Sequence, residues 1–290
     1  MNSSNPDAAV VPDAPATRGA GLDPRHASRT GAQGVAALQF GFLAALLLAW
    51  EAGARFFDAT FWVSSPSEVA AALNRWYASG QLLGDLQLTL FEAGIGFVLG
   101  SVTGALLGFV LGWVQRLGAL FEPFVVSLYT LPKVALAPLF VLWFGIGVAN
   151  KVMFASLLVF FMVFFTTFQG TRQVDRDLVA NARLLGASRF QIWTKIAIPY
   201  SAVWVFTGLR IGLPYALIGA IVGEFVAADA GVGFRIKEAT SLFDTAAVFA
   251  GLLLLMAISL LLLGALKLVE RRTLRWQTAD ALDLDSQSPD

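Results

Sequence analysis

Residues 88–113 read LTLFEAGIGFVLGSVTGALLGFVLGW, with Glu92 as the single charged side chain. About 20 apolar residues rising 1.5 Å each cross a bilayer core of about 30 Å, so this stretch predicts a membrane-spanning helix. Five of its six glycines recur every four residues and therefore form one slowly winding stripe. They are Gly96, Gly100, Gly104, Gly108 and Gly112. Because such a stripe lets another helix approach closely, we expect ordinary packing against protein on this face.

The composition of the whole chain agrees with a membrane protein. Of its 290 residues, 57% are hydrophobic and only 14% are charged, whereas soluble domains average about 25% charged residues. The formal net charge is zero, which gives no indication of nucleic-acid binding. The chain has no cysteine and a single histidine, His26. Disulfides, thiolate catalysis, a histidine-based triad and a multi-histidine metal site are therefore excluded.

Five further apolar runs follow the same length rule. They lie at about 35–53, 121–144, 152–170, 202–226 and 247–268. The sequence thus predicts an all-α, polytopic membrane protein of about six transmembrane helices. The run at 121–144 contains Pro123, Pro132 and Pro138, and we expect it to be kinked or broken because proline removes a helical donor.

The remaining segments are polar. Residues 1–34 lack apolar periodicity and are predicted to be a disordered tail, not a signal peptide. The predicted membrane domain covers 35–272, and 273–290 form a second tail. Within the connection 55–87, Ser67–Tyr77 is predicted to be an amphipathic surface helix with Ser67 as its N-cap.

The distribution of lysine and arginine predicts the orientation. With the N-terminus inside, the inner segments hold Arg116, Arg172, Arg183 and most of the other basic residues, while the outer ones hold few. Cytoplasmic loops carry the excess of positive charge. We therefore expect an even number of spans, with both termini and the loop at about 171–201 in the cytoplasm.

That loop has the capping and helix-ending residues of two short helices. Asp175 is a candidate N-cap, Gly186 a candidate stop, and Ser188 the N-cap of a second helix expected to end before Pro199. Leu178, Ala182 and Leu185 fall on one face of the first helix, at i, i+4 and i+7. A loop of this length is uncommon without a function, so it predicts a docking element for another protein.

The same loop resembles the EAA loop of bacterial ABC-importer permeases, whose pattern is Glu-Ala-Ala, three residues, Gly, nine residues and Ile-x-Leu-Pro. Here Ala180, Asn181 and Ala182 occupy the triplet. Gly186 follows Leu185 at the required spacing, and Ile196-Ala-Ile-Pro199 closes the pattern. The triplet departs from the pattern, because Ala180 stands where glutamate is usual and Asn181 where alanine is usual.

The resemblance extends over roughly residues 51–276. The segments that carry it are Ser65-Pro-Ser67, Leu131 to Gly145, Gly208-Leu-Arg210, Gly223-Glu224 and Glu270-Arg-Arg272. They look like the nitrate/sulfonate/taurine-type branch, which also includes permeases for pyrimidine precursors of thiamine. The implied cargo is a small anionic or polar solute such as a sulfonate, taurine or nitrate. A pyrimidine-type precursor or a related vitamin is the alternative.

The resemblance also implies a type I ABC-importer fold in the bacterial inner membrane. The expected partners are a second permease copy, a pair of ABC ATPase subunits and an extracytoplasmic solute-binding protein. The chain has no Gly-x-x-x-x-Gly-Lys-Ser/Thr phosphate loop. We therefore expect a non-catalytic subunit that binds no cofactor itself, with ATP-Mg held by the separate ATPase.

Ionisable residues inside the spans are functional candidates by default. Lys133 lies near the middle of the third span, where it either lines the substrate path or pairs with a carboxylate. Glu224 is a second candidate for the path. For Glu224, Glu92 and Glu51 the alternative is a structural hydrogen bond at the outer end of a span.

Two other classes of protein were weighed against the permease. A secondary transporter or channel often shows an internal repeat of broken helices, and no convincing repeat relates the two halves of this chain. An intramembrane enzyme usually needs clustered His, Asp, Ser or Cys residues at membrane depth, and the sequence shows no such set.

Overall fold

The computed structural model describes residues 24–56 and 60–274, and every regular element in these ranges is helical. The predicted all-α class is confirmed. The helices are α1 Pro24–Phe56, α2 Thr60–Val63, α3 Pro66–Ala78, α4 Gln81–Trp113, α5 Gln115–Thr130, α6 Ala137–Phe144, α7 Val148–Arg172, α8 Arg176–Leu184, α9 Arg189–Ile192, α10 Ile198–Val226, α11 Val232–Ser241 and α12 Thr245–Thr273.

The chain forms two compact units, one ending at Ala52 and the other beginning at Gly53. The first unit contains α1 as far as Ala52, and with it nearly all of the predicted first span at 35–53. The predicted N-terminal tail lies outside the described residues up to residue 23. Residues 24–34 belong to α1 instead of extending that tail. The predicted C-terminal tail lies outside the described residues from residue 275 onward.

Within the described residues, four helical stretches are long and apolar enough to cross a membrane: Gln81–Trp113, Val148–Arg172, Arg189–Val226 and Thr245–Thr273. A fifth span results if the bent pair Arg116–Thr130 and Lys133–Phe144 counts as one. These stretches match five of the six predicted spans, and α1 is not among them. The membrane fold is confirmed, with four to five spans by length and composition.

The third predicted span is broken at its prolines, as expected. Its two helical parts meet at 81°, and Lys133–Leu136 forms a 3₁₀ turn between them. Pro132 cannot donate a backbone hydrogen bond, and its carbonyl accepts from the amide of Ala135 at 2.9 Å. Irregular backbone of this kind is tolerated at membrane depth only beside protein or a water-filled cavity.

Helix α7 is the central helix of the second unit, and α4 packs along one side of it. A Cβ atom added at any of the five predicted stripe glycines would lie closer than 3.0 Å to an atom of α7. At Gly100 the nearest atom would be the backbone oxygen of Ser156. The stripe therefore lets the α4 backbone touch α7 directly.

A second set of glycines, which the sequence analysis did not identify, brings α10 against another side of α7. A Cβ at Gly208, Gly219 or Gly223 would lie closer than 3.0 Å to atoms of α7. The spacing of eleven and four residues keeps them on one helical face. Central helix α7 is thus held between two glycine-lined helices, and 14 of its residues are buried.

The amphipathic helix predicted in the connection 55–87 exists, but its predicted N-cap is wrong. Helix α3 is capped by Ser65, whose hydroxyl accepts from the amide of Glu68, while the Glu68 carboxylate accepts from the amide of Ser65. This reciprocal capping box satisfies two free donors. Pro66 fits the first helical position because it has no donor to lose, and the N-cap therefore lies two residues before the predicted Ser67.

Candidate functional site

The predicted docking loop contains the two helices that its sequence indicates. Asp175 caps α8, because its side chain accepts from the amides of Asp177 and Leu178. At the other end, Gly186 has a φ of +86°. Its amide bonds the carbonyl of Arg183, and the next amide bonds that of Ala182, both at 2.9 Å. These are the two hydrogen bonds of a Schellman motif, which requires the left-handed backbone that glycine adopts freely.

The second helix starts as predicted and does not end as predicted. Ser188 caps α9 in a capping box with Gln191. Instead of stopping before Pro199, the helix continues through a π-helical turn, Trp193–Ala197, into α10. A wider turn lets the chain pass a proline that would clash with the carbonyl four residues earlier. The loop is therefore rigidly continuous with a membrane helix on its C-terminal side.

The loop exposes an unusual amount of apolar surface. Leu184 and Leu185 are 85% and 89% exposed, and Phe190 is 76% exposed. The predicted face is only partly correct, since Leu178 and Leu185 are exposed while Ala182 is half-buried. Leu184 and Phe190 were missed because they flank the helix end and do not fall on the i, i+4, i+7 stripe.

The other residues of the loop motif lie where they can support this surface. Ala180 and Asn181 are exposed on α8. Ile196 and Pro199, from the far end of the motif, are half-buried and line a cavity of about 500 Å³ together with Leu178. The fold thus brings the end of the motif against Leu178 of α8, just before the start of the motif.

Two further segments of the sequence resemblance also meet in space. Arg210 of α10 forms a bidentate ion pair with Glu270 of α12. This pair joins the first half of α10 to the C-terminal end of α12, two membrane helices that are distant in the sequence. It gives Arg210 a carboxylate partner that the sequence analysis did not foresee.

Lys133 stands at the break between α5 and α6, within the bent span. Its Nζ donates to the backbone oxygen of Tyr129 at 2.6 Å and lies 4.6 Å and 4.8 Å from the ring centres of Tyr129 and Phe161. No ion pair joins it to a carboxylate of the described residues. Aromatic faces therefore stabilise the ammonium group here, and its place in the path stays a prediction.

Glu224, the other predicted path residue, is completely buried in the structure. Its Oε1 accepts from the hydroxyl of Thr89, and its Oε2 accepts from the amide of Gly233, both at 2.6 Å. It does not border open space in this conformation. The geometry matches the structural alternative, a hydrogen bond inside the bundle.

Glu224 belongs to a larger group of buried polar side chains at the end of the bundle opposite α8. We call it the buried polar cluster and define it as Asp85, Thr89, Glu92, Lys151, Glu224 and Arg235. Its members come from α4, α7, α10 and α11, so it joins four helices. Only the two glutamates stand out in the sequence as candidates, although Asp85, Thr89 and Glu92 follow one helical face at i, i+4 and i+7.

The N-terminus of α11 is held by this cluster. The amides of Gly231 and Val232 donate to Asp85 and Thr89, each at 2.9 Å, and Gly233 donates to Glu224. The first amides of a helix lack internal partners and carry partial positive charge, so carboxylates stabilise them. Side chains at residues 231 and 233 would strike the Glu224 carboxylate, which explains both glycines.

Two ion pairs complete the cluster. Lys151 donates to Glu92 at 3.0 Å, with both side chains almost fully buried. Arg235 donates to Asp85 at 2.9 Å, and the indole of Trp76 donates to the same carboxylate oxygen. Oε2 of Glu92 has no hydrogen-bond partner among the described residues. Breaking the fully buried Lys151–Glu92 pair would leave a charge with no solvent to stabilise it, whereas Arg235 is 25% exposed and keeps some contact with solvent.

Comparison with known proteins identifies the family. Residues 96–275 match the family described as "Binding-protein-dependent transport system inner membrane component". The formylaminopyrimidine transport permease protein of Halalkalibacterium halodurans is 32% identical over 81% of this chain and 94% of its own length. The taurine transport system permease protein of Escherichia coli is 30% identical over 76% and 73%.

A solved structure supports the same fold. The methionine ABC transporter in inward-facing conformations superposes with a TM-score of 0.55, at 18% identity, over 67% of this chain and 95% of that chain. These findings favour the permease prediction over a secondary transporter or an intramembrane enzyme. The chain therefore belongs to the family of binding-protein-dependent transport system inner membrane components, the multi-pass permease subunits of ABC transporters.

Proposed function

We propose that this chain is the permease of an ATP-driven importer in which the α8–Gly186–α9 loop transmits the work of a separate ATPase. The observation that supports the proposal is the exposed apolar surface of Leu184, Leu185 and Phe190 on a capped, rigid two-helix element. Exposed apolar patches of this kind mark protein interaction sites. Because α9 is continuous with α10, a push on the loop would move a membrane helix.

The proposed assembly contains two permease copies, two ATPases that hold ATP-Mg, and an extracytoplasmic binding protein. Helix α12 leaves most of its apolar surface uncovered by the rest of the chain, which suits contact with lipid and with a second copy. The family description supports the binding protein by name. The permease itself contributes the path and the coupling loop, and no catalytic group.

The proposed substrate is a small polar solute with an anionic or electron-rich group. Relatives named for taurine and for formylaminopyrimidine are similarly close to this chain, so similarity does not rank the two classes. The sulfonate class is placed first because of the positive charge of Lys133, and the pyrimidine class second. Lys133 supports an electron-rich cargo, because it is a cation at a broken span without a carboxylate partner in the described ion pairs. The binding protein would choose among such solutes before they reach the permease.

Coupling is tested by replacing Gly186 with valine. A β-branched residue at a φ of +86° is strained by about 1–2 kcal/mol, so the loop should distort while the membrane bundle stays intact. In vesicles containing the complete transporter, we expect ATP hydrolysis without solute uptake. Gly186→Asn is the matched control, since asparagine tolerates this backbone and no atom crowds the site. Normal uptake by Gly186→Val would contradict the coupling role.

The proposed orientation places Gly186 and both termini in the cytoplasm. The chain has no cysteine, so a single Gly186→Cys change gives an unambiguous label. We expect an impermeant maleimide to react only after the cells are opened. Lys237→Cys, on exposed α11 at the other end of the bundle, should react in intact cells. The reverse labelling pattern would overturn the orientation.

Lys133 is tested by its replacement with methionine, which keeps the length and removes the charge. If Lys133 stabilises a passing electron-rich solute by about 1 kcal/mol, the transport rate should fall about fivefold. The expressed level should stay near normal, and the solute concentration for half-maximal uptake should change little. Lys133→Arg, which keeps the cation, should retain most of the rate. Unchanged transport by Lys133→Met would remove the lysine from the path.

A further inference from the structure

A second feature at the α8 end of the bundle has no place in the coupling role. A cavity of about 440 Å³ lies between α8 and the ends of α4 and α7. Four of its lining residues are arginines: Arg116, Arg172, Arg176 and Arg183. None of the described residues that line it is acidic. We call this space the arginine cavity.

The charges around the arginine cavity leave it strongly positive. Arg172 pairs with Glu122 at 2.7 Å on the exposed surface. No described carboxylate forms an ion pair with Arg116 or Arg183. Asp175 is close in sequence, and one of its carboxylate oxygens already accepts from two amides at the start of α8. An anion entering the cavity would therefore relieve repulsion among the guanidinium groups.

The arginine cavity lies at the ends of two candidate membrane spans. Gly112 and Trp113 end one candidate span, and Thr171 and Arg172 end another. A neighbouring cavity of about 460 Å³ shares Trp113 and Arg183 and adds the aromatic rings of Phe190 and Trp193. Tryptophan is favoured at the boundary between acyl chains and headgroups. The two cavities together offer guanidinium groups for a phosphate and aromatic surface for the apolar part of a lipid.

The face of helix α8 that lines the arginine cavity differs from the face that carries the exposed leucines. Arg176, Val179, Ala180 and Arg183 line the cavity at i, i+3, i+4 and i+7, whereas Leu184 and Leu185 do not. The ligand would therefore lie between α8 and the membrane helices. This position disfavours a docking ATPase as the occupant, because the ATPase is assigned to the exposed leucine surface.

Ala180 is central to the specificity of the arginine cavity. The loop pattern usually has glutamate at this position, and a glutamate here would extend a carboxylate among the arginines. The small, neutral Ala180 leaves the space open and positive. The residue that departs from the family pattern, Ala180, thus lies in the wall of the arginine cavity.

We propose that the arginine cavity binds the phosphate of an anionic phospholipid and thereby ties the coupling loop to the inner membrane surface. The inference rests on the proposed orientation only in naming the inner leaflet. Arginine binds phosphate through two parallel hydrogen bonds, and basic pockets between membrane helices on the cytoplasmic side recognise anionic headgroups. The lipid would hold α8 in the angle at which its leucines face outward.

The test is lipid titration of the purified full chain, followed by native mass spectrometry with phosphatidylglycerol and phosphatidylcholine. We expect tighter binding of phosphatidylglycerol. The double change Arg116→Gln and Arg183→Gln should weaken it about 25-fold, or about fivefold for each arginine. Ala180→Glu should weaken it as well, without removing a cation. The matched control is Arg271→Gln with Arg272→Gln, which removes equal charge from exposed positions of α12.

Three outcomes decide the proposal. Loss of phosphatidylglycerol in both cavity variants, with retention in the control, supports it. If millimolar inorganic phosphate displaces phosphatidylglycerol as effectively as added phosphatidylglycerol does, the site binds a free anion. That result would overturn the proposal that its ligand is a lipid. Unchanged lipid binding, with loss of the ATPase from the variant complex, would make the cavity a protein-docking surface. Each readout is independent of ATP-driven uptake, so failure of the import proposal would leave the result interpretable.

Discussion

Replacing Gly100 with valine is expected to prevent α4 from packing against α7 and to destabilise the bundle by about 3 kcal/mol or more. A Cβ at this position would overlap the backbone oxygen of Ser156 and the side chain of Val159. Backbone atoms cannot rotate out of the way as a flexible side chain can. The two helices would have to separate, and the contacts along the whole glycine stripe would weaken with them.

The matched control for Gly100→Val is Gly94→Val. Gly94 lies in the same helix, and a Cβ there meets no atom within 4 Å. Both changes add the same apolar volume to the same membrane span. After heating in detergent, size-exclusion chromatography should show aggregation of Gly100→Val at a much lower temperature than of Gly94→Val. Equal behaviour of the two variants would show that close backbone contact does not hold these helices together.

The second large effect is expected from Lys151→Met in the buried polar cluster. The change removes the cation that pairs with Glu92 and leaves that carboxylate buried. Glu224 interacts electrostatically with Glu92 and with Lys151. Removing the lysine would therefore leave both carboxylates without the cation that they share. Breaking a buried pair by removing one partner costs about 3 to 5 kcal/mol. We expect a correspondingly large loss of thermal stability and of protein level in the membrane.

Two further variants separate charge from side-chain volume in this prediction. Lys237→Met removes an exposed lysine at the same end of the bundle and should have little effect. Adding Glu92→Leu to Lys151→Met replaces the pair with apolar groups and should restore most of the lost stability, because no buried charge remains unpaired. If the double variant is no more stable than Lys151→Met alone, the pair is not the cause of the effect.

Most of the secondary structure follows from the sequence, because each element has a local cause. The apolar run at 88–113 has to form its own backbone hydrogen bonds in lipid. The prolines of the third span interrupt the helical hydrogen bonds of that span, whatever tertiary structure surrounds it. The helices of the coupling loop are fixed by side chains and backbone conformation within three residues. Asp175 starts the first helix, Gly186 ends it and Ser188 starts the second. The errors at Ser67 and Pro199 also have local causes. In the first case, a capping box started the helix earlier, and in the second a π turn carried the helix past the proline.

The candidate site divides in the same way. The coupling loop was predictable, because its motif is contiguous and its helices are capped by their own residues. The buried polar cluster was not, since Lys151, Glu224 and Arg235 lie far from Asp85 and Glu92 along the chain. The face that carries Asp85, Thr89 and Glu92 was a readable signal, but it named no partner. The partners depend on which helices touch.

The sequence alone determined that this protein is a helical membrane protein, because the length, the apolarity and the helix-ending residues of each segment act within that segment. The resemblance of its loop motif to a known family then indicated a permease. Only the tertiary structure decided how those segments use their charges. Burial between α4, α7 and α10 turned Glu224 from a path candidate into a support for α11. The angle of α8 against the ends of two spans gathered arginines from three segments around one cavity. Electrostatic energy depends on distances in space and on access to water, and neither is set by the spacing of residues along the chain.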